Sequence, residues 1–183
     1  MTATQPAFEK PSDAPEHDLR WSKGTVTEVI DKPQQLFDQL KRVAVTWPYK
    51  DGLSTKSTWD EITSLMRKEP RVLCIVNMKS HAMQLYKRLC EHGDEGLWHL
   101  STRMCPRHRL DAISQIRSVL THDGKPCRVV STQLVEAGVD LDFPVVFRAM
   151  GPLDSVAQAA GRCDREGRLT ATQGHPAGRV IAV

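Results

Sequence analysis

Residues 128–168 read RVVSTQLVEAGVDLDFPVVFRAMGPLDSVAQAAGRCDREGR, and this stretch decides the fold. It holds two short apolar runs, Val129-Val130 and Val145-Val146-Phe147, the second directly after Pro144. Both are too short for helices and rich in β-branched residues, so both are expected to be buried parallel strands. Open α/β sheets bind ligands at the carboxyl ends of such strands. Thr132, Gly138 and Asp140 follow the first run and are therefore expected on a ligand-facing edge. Pro152 suits the start of a helix, because its φ is already fixed near the helical value. On that helix Gln158, Arg162 and Arg165, spaced as Q-x-x-G-R-x-x-R around Gly161, are expected to share one face. Two guanidiniums converging on one spot offer planar, permanently charged forks to phosphate oxygens. Taken alone, an arginine pair on a helix is usually a solvated face, Gly161 can simply permit close packing, and Asp140 can be a turn residue.

Upstream of this stretch, residues 72–76 (VLCIV) are a continuous apolar run typical of a strand covered on both faces. Asn77 ends it, Ser80 can cap a helix over 82–90, and Gly93 suits that helix's end. A short strand is expected at 97–100, followed by Ser101-Thr102-Arg103. A helix over 106–120 is expected to turn Leu110, Ile113, Ile116, Val119 and Leu120 inward, and Asp123-Gly124 to turn the chain into the next strand. After Arg168 a loop with Gly174, Pro176 and Gly178 leads to a last strand at 179–183. Strand and helix alternate throughout, which predicts an α/β fold with a doubly wound, mostly parallel sheet.

Nearer the N-terminus the pattern weakens. Residues 1–24 read as a linker, and 25–30 (TVTEVI) alternate like a half-buried strand. Pro33 opens a helix with Leu36, Phe37, Leu40 and Val43 at helical spacing, and 43–47 can form a strand. Pro48, Asp51 and Gly52 suggest a turn, and Ser57 an N-cap for a helix through Trp59, Ile62, Leu65 and Met66.

A hydrophobic content of 40% over 183 residues suits one domain with additional sequence and excludes a disordered tail. The net charge of +3 is too small to argue for a polyanion partner by itself. Five cysteines without a C-x-x-C pair point to reduced thiols in a cytoplasmic protein. Cys105-x-x-His108 and Cys90-x-His92 have no second matching pair, so no metal site is expected. No apolar run approaches the length of a membrane span, and a soluble protein is expected.

The pattern T-x-x-x-x-x-G-x-D followed by Q-x-x-G-R-x-x-R resembles the last two motifs of superfamily 2 helicases. With Asn77 ending VLCIVN, then HLSTR at 99–103, STQLVEAGVDLDFP and AGRCDREGR, the chain resembles the helicase half of the CRISPR-associated helicase–nuclease of type I systems. The resemblance is close over 72–183. It is weaker over 2–30, where Thr2-Ala3-Thr4 resembles the motif that ends the first lobe. It implies a RecA-like C-terminal helicase lobe over 25–183, a P-loop NTPase-like fold without the P-loop, preceded by an inter-lobe linker at 1–24. No Gly-Lys-Ser or Gly-Lys-Thr occurs, so the phosphate-cradling loop and the Mg²⁺-holding acid of the first lobe are expected elsewhere, as is the nuclease domain.

The resemblance further implies roles. Arg162 and Arg165 would be arginine fingers on the γ-phosphate of ATP, and Gln158 would sense that phosphate. Asp140 would contact the ribose, with Gly138 giving the backbone room to approach. Thr132, Ser101, Thr102, Arg103 and Asn77 would contact phosphates of single-stranded DNA. ATP and Mg²⁺ would be held mainly by the first lobe, and the enzyme would act with a CRISPR type I effector complex, moving 3′ to 5′ along DNA. The isolated chain is then expected to hydrolyse no ATP. The alternative is a non-catalytic nucleic-acid-binding module of the same fold.

Overall fold

The computed structural model describes residues 20–21, 32–50, 53–54, 57–121, 125–136, 138–173 and 177–183. In chain order the elements are α1 (Pro33–Leu40), β1 (Val43–Thr46), β2 (Tyr49–Lys50), β3 (Leu53–Ser54), α2 (Trp59–Lys68), β4 (Arg71–Ile75), α3 (Lys79–Glu91) and β5 (Leu97–Leu100). They continue with α4 (Pro106–Thr121), β6 (Cys127–Ser131), a 3₁₀ turn (Gln133–Val135), β7 (Val145–Arg148), α5 (Leu153–Ala160), α6 (Arg168–Gln173) and β8 (Gly178–Ala182). Helix α1 belongs to a unit spanning Met1–Lys41, and the sheet to a second unit spanning Arg42–Val183. The motif at Thr2-Ala3-Thr4, the strand expected at 25–30, and the turns at Asp51-Gly52 and Asp123-Gly124 lie outside the described residues.

Six strands pair in parallel in the order β1-β8-β7-β4-β6-β5, while β2 and β3 form a separate antiparallel pair. The central strand β4 explains the two-sided cover. Its side chains alternate across the sheet, as pleating requires. Val72 and Cys74 pack with Ile62 and Met66 of α2 and with Leu85 and Leu89 of α3. Leu73 and Ile75 pack with Ile116 of α4 and with Val156 and Ala159 of α5. Helices therefore cover both faces, which is the doubly wound arrangement expected. The chain leaves β4 for β5 and β6 on one side, then crosses to β7 on the other. The carboxyl ends of β4, β6 and β7 thus meet at the point where winding reverses, where such sheets form a ligand crevice.

Several expected boundaries move, each for a local reason. Helix α2 is capped by Thr58, not Ser57: the Thr58 hydroxyl accepts from Glu61 N at 3.2 Å, and the Glu61 carboxylate accepts from Thr58 N at 2.7 Å. Only this register places a glutamate where its side chain can complete the reciprocal capping box. Ser80 does not cap α3 but lies inside its first turn, which closes from Ala82 N to the Met78 carbonyl at 3.1 Å. Leu110 is 64% exposed, because the buried stripe of α4 runs through Ala112 and Ile116, on the far side of the helix from it. Val43 opens β1 instead of extending α1.

The main departure follows α5. That helix ends at Ala160 with Gly161 as its C-cap, so Gln158, Arg162 and Arg165 do not share one helical face. Asp164 then adopts a left-handed conformation with φ 43°. Its carboxylate accepts from Leu169 N and Thr170 N, both at 2.9 Å, and from the Thr170 hydroxyl at 2.5 Å. This one buried side chain caps α6, a helix where sequence periodicity predicts only loop.

Candidate functional site

Two groups of residues emerge from this architecture. The first lies at the carboxyl ends of β4, β6 and β7. Asn77, one residue beyond Val76, donates from Nδ2 to the Met150 carbonyl at 2.7 Å. Its Oδ1 accepts from Arg148 Nη1 at 2.7 Å and from Gln133 Nε2 at 3.3 Å. Arg148 itself is wholly buried, with its Nε 2.8 Å from Oε1 of the nearly buried Glu136. Among the expected nucleic-acid residues, Asn77, Thr102 and Arg103 are exposed, whereas Thr132 and Ser101 are buried. The Ser101 hydroxyl is engaged locally, accepting from Arg103 N at 3.3 Å.

The second group lies along the segment that returns from β6 to β7 and along the loop after α5. Residues 142–143 and 162–165 are laced together: Phe143 N donates to the Arg162 carbonyl at 2.9 Å, and Arg165 N to the Asp142 carboxylate at 2.7 Å. This backbone pairing brings the two arginines beside Asp140. Arg165 Nη1 is 2.7 Å from Asp140 Oδ1, with the side chains 40% and 63% exposed. Arg162 is turned the other way. Its Nε donates to the Val135 carbonyl and its Nη2 to the Glu136 carbonyl, each at 2.8 Å, capping the 3₁₀ turn that follows β6. Burial and then the neighbouring Arg165 charge push the Arg162 pKa down from the usual guanidinium value, against the opposing pull of Asp140 and Glu136. Burial also pushes the Asp142 carboxyl up, although the Arg165 and Glu166 amides oppose it.

The structure therefore brings Asp140, Arg162 and Arg165 together, with Gln158 half-buried on the last turn of α5. Gly138 has φ 72°, and a Cβ there would meet nothing within 4 Å, so within this chain backbone conformation rather than space calls for glycine. Asp140 lies on the return segment and not at the strand edge occupied by Thr132. A cavity of about 490 Å³ opens beside it, lined in part by Arg117, Asp140, Phe143 and Arg168. Among the described residues no cluster of three metal-ligating side chains occurs, and no helix is long and apolar enough to cross a membrane. Sequence reading passed over Arg148 and Glu136. The available signal was a single arginine closing the apolar run VVFR, where a buried charge demands a partner.

The parallel six-stranded sheet with helices on both faces has the fold of the C-terminal RecA-like lobe of superfamily 2 helicases. Residues 68–168 match the family described as CRISPR-associated nuclease/helicase Cas3, C-terminal. The chain belongs to this family. A CRISPR-associated nuclease/helicase Cas3 of Haloferax volcanii is 51% identical over 51 residues, covering 28% of this chain and 5% of that protein. The Cas3 of Methanothermobacter thermautotrophicus is 30% identical over 108 residues, covering 59% of this chain and 13% of that one. A crystal structure of T. fusca Cas3 with ADP superposes with a TM-score of 0.57 at 21% identity, over 78% of this chain and 18% of that chain. The chain thus corresponds to a small part of the relatives it matches.

Proposed function

We propose that this chain serves as the second RecA-like lobe of an ATP-driven DNA helicase working with a CRISPR type I effector complex in the cytoplasm against foreign DNA. The observation that carries the reading is the exposed Arg165–Asp140 pair standing next to Arg162. Guanidinium forks fit phosphate oxygens, and a carboxylate accepts from ribose hydroxyls. ATP, as substrate, supplies the triphosphate that the arginines meet when a first lobe closes on this one. Arg165 needs only to leave an exposed ion pair, whereas Arg162 must release the carbonyls of Val135 and Glu136. Both would stabilise charge developing on the γ-phosphate, with Gln158 beside them and Asp140 freed for the sugar. Mg²⁺ in this reading is held by the first lobe.

Single-stranded DNA lies across the carboxyl ends of β4, β5 and β6, where Asn77, Thr102 and Arg103 are exposed beside Thr132 and Ser101. Contacts of this kind hold phosphates without reading sequence. ATP favours the closed arrangement through contacts that hydrolysis removes, so each cycle moves the grip along the strand.

Binding of this chain to a labelled oligothymidylate, measured against salt, tests the DNA-facing half. The expected result is weak binding that falls with rising salt and drops further in Arg103→Ala. Affinity unaffected by salt or by that substitution contradicts the assignment of this edge. The alternative, a non-catalytic binding module, shares the DNA result and differs by showing no ATP turnover in any longer form.

A further inference from the structure

We propose that Arg148 is a positioning residue that turns Asn77 and Gln133 outward as hydrogen-bond donors at the carboxyl edge of the sheet, with Glu136 as its counter-charge. The proposal rests on the reading of that edge as a contact for single-stranded DNA, and it names what shapes the contact.

Arg148 closes β7 inside the protein, and its side chain is 0% exposed. A buried ion pair is a poor source of stability, since apolar residues of similar volume do as well or better. This one is also incompletely satisfied: Arg148 Nη2 has no hydrogen-bond partner, and the Nε–Glu136 contact at 2.8 Å lies off the hydrogen-bond axis. Its geometry accomplishes something else. A guanidinium donates and never accepts. By donating Nη1 to Asn77 at 2.7 Å, Arg148 forces the amide oxygen of Asn77 inward, and Gln133 Nε2 joins the same oxygen at 3.3 Å. Asn77 Nδ2 spends one hydrogen on the Met150 carbonyl. One N–H of each amide remains, and both residues are exposed. Without Arg148, Asn77 could rotate and offer its oxygen, which a phosphodiester repels. With it, the amide of Asn77 presents only its remaining N–H, and Gln133 adds a second N–H beside its own carbonyl oxygen; these donors suit a group made only of acceptors.

The backbone at Gly151 lies against this network: a Cβ there would stand 3.5 Å from Arg148 Nη2 and 3.9 Å from Asn77 Oδ1, both ordinary contact distances.

The test uses the double variant Arg148→Met/Glu136→Leu, which removes both charges together and so avoids stranding either one. Two quantities are read on this chain: the side-chain amide NMR signals of Asn77 and Gln133, and the affinity for an oligothymidylate. The expected result is a folded protein whose two amide signals move to the positions of free amides and whose affinity falls about tenfold, the cost of ordering two side chains on binding. Arg148→Lys, whose point charge cannot serve Asn77 and Glu136 together, is expected to fall between. It decides the matter alone if the double variant does not fold. Unchanged amide signals in a folded variant overturn the positioning role. Released amides with unchanged affinity overturn its link to DNA. Absence of DNA binding by the unmodified chain overturns the assignment of the edge, while the amide signals still judge Arg148.

Discussion

Asp140, on the segment leading into β7, and Arg165, on the loop after α5, meet at 2.7 Å while both remain open to solvent, and the Asp142 carboxylate ties the Arg165 backbone to that segment. An exposed ion pair of this kind contributes at most about 1 kcal/mol. It can therefore open cheaply, as the proposed function requires when a nucleotide meets each partner. Asp140→Asn is expected to leave stability to denaturant within about 1 kcal/mol of the parent. In the two-lobed protein it should raise KM for ATP more than it lowers kcat, as loss of a uniform binding contact does. A fall in kcat at unchanged KM would place Asp140 in the chemical step instead.

The two arginines should separate by stability. Arg162→Ala leaves the carbonyls of Val135 and Glu136 without their donor, an expected loss of about 1–3 kcal/mol in urea unfolding of this chain. Arg165→Ala removes only the exposed pair and should cost less than about 1 kcal/mol. Equal losses would show that Arg165 also supports the fold.

Asp164 sets an acid-dependent contribution. Burial pushes its carboxyl up, but the Thr170 hydroxyl, the Leu169 and Thr170 amides and the Arg42 charge together bring it below the ordinary value of 3.8. The carboxylate therefore stabilises the fold at neutral pH, and that contribution disappears as pH falls below about 3.8 through the lowered value. Asp164→Asn should be less stable at pH 7 by about 1–3 kcal/mol. The gap to the parent should narrow on acidification, measured by denaturant unfolding at a series of pH values. A gap independent of pH would remove the carboxylate charge from the explanation.

Thiol reactivity reports the packing of the sheet. Cys74, Cys127 and Cys163 are buried, with thiols pushed up to about 12 chiefly by burial, whereas Cys90 and Cys105 are exposed. A thiol reagent at pH 8 should titrate two of the five cysteines in the native protein, and the other three only on unfolding. Fast reaction at Cys74 would contradict its place in the central strand.

The sheet was legible because its central strands carry unbroken apolar runs: VLCIV and VVF can satisfy themselves only when covered on both faces. The helix after Pro106 was legible from periodicity, although Leu110 was assigned to the wrong side of it. What escaped was contributed by residues distant in sequence. Asp164 builds α6 through a left-handed turn that no apolar pattern announces, and Gly161 breaks the helix between Gln158 and Arg162. The link between Asn77 and Arg148 spans 71 positions, and neither residue alone signals it. Of the Q-x-x-G-R-x-x-R residues, Arg162 and Arg165 come together beside Asp140, brought there by a turn and a paired loop rather than by a continuous helical face.

The central claim is that Arg165 contributes charge to a nucleotide gripped mainly by another lobe. Its most direct test is ATP hydrolysis by the two-lobed protein carrying Arg165→Ala, with single-stranded DNA affinity measured on the same samples. The account predicts a loss of turnover of about 10³-fold or more with DNA binding largely intact. Turnover that survives the substitution, or that disappears together with DNA binding, would contradict it.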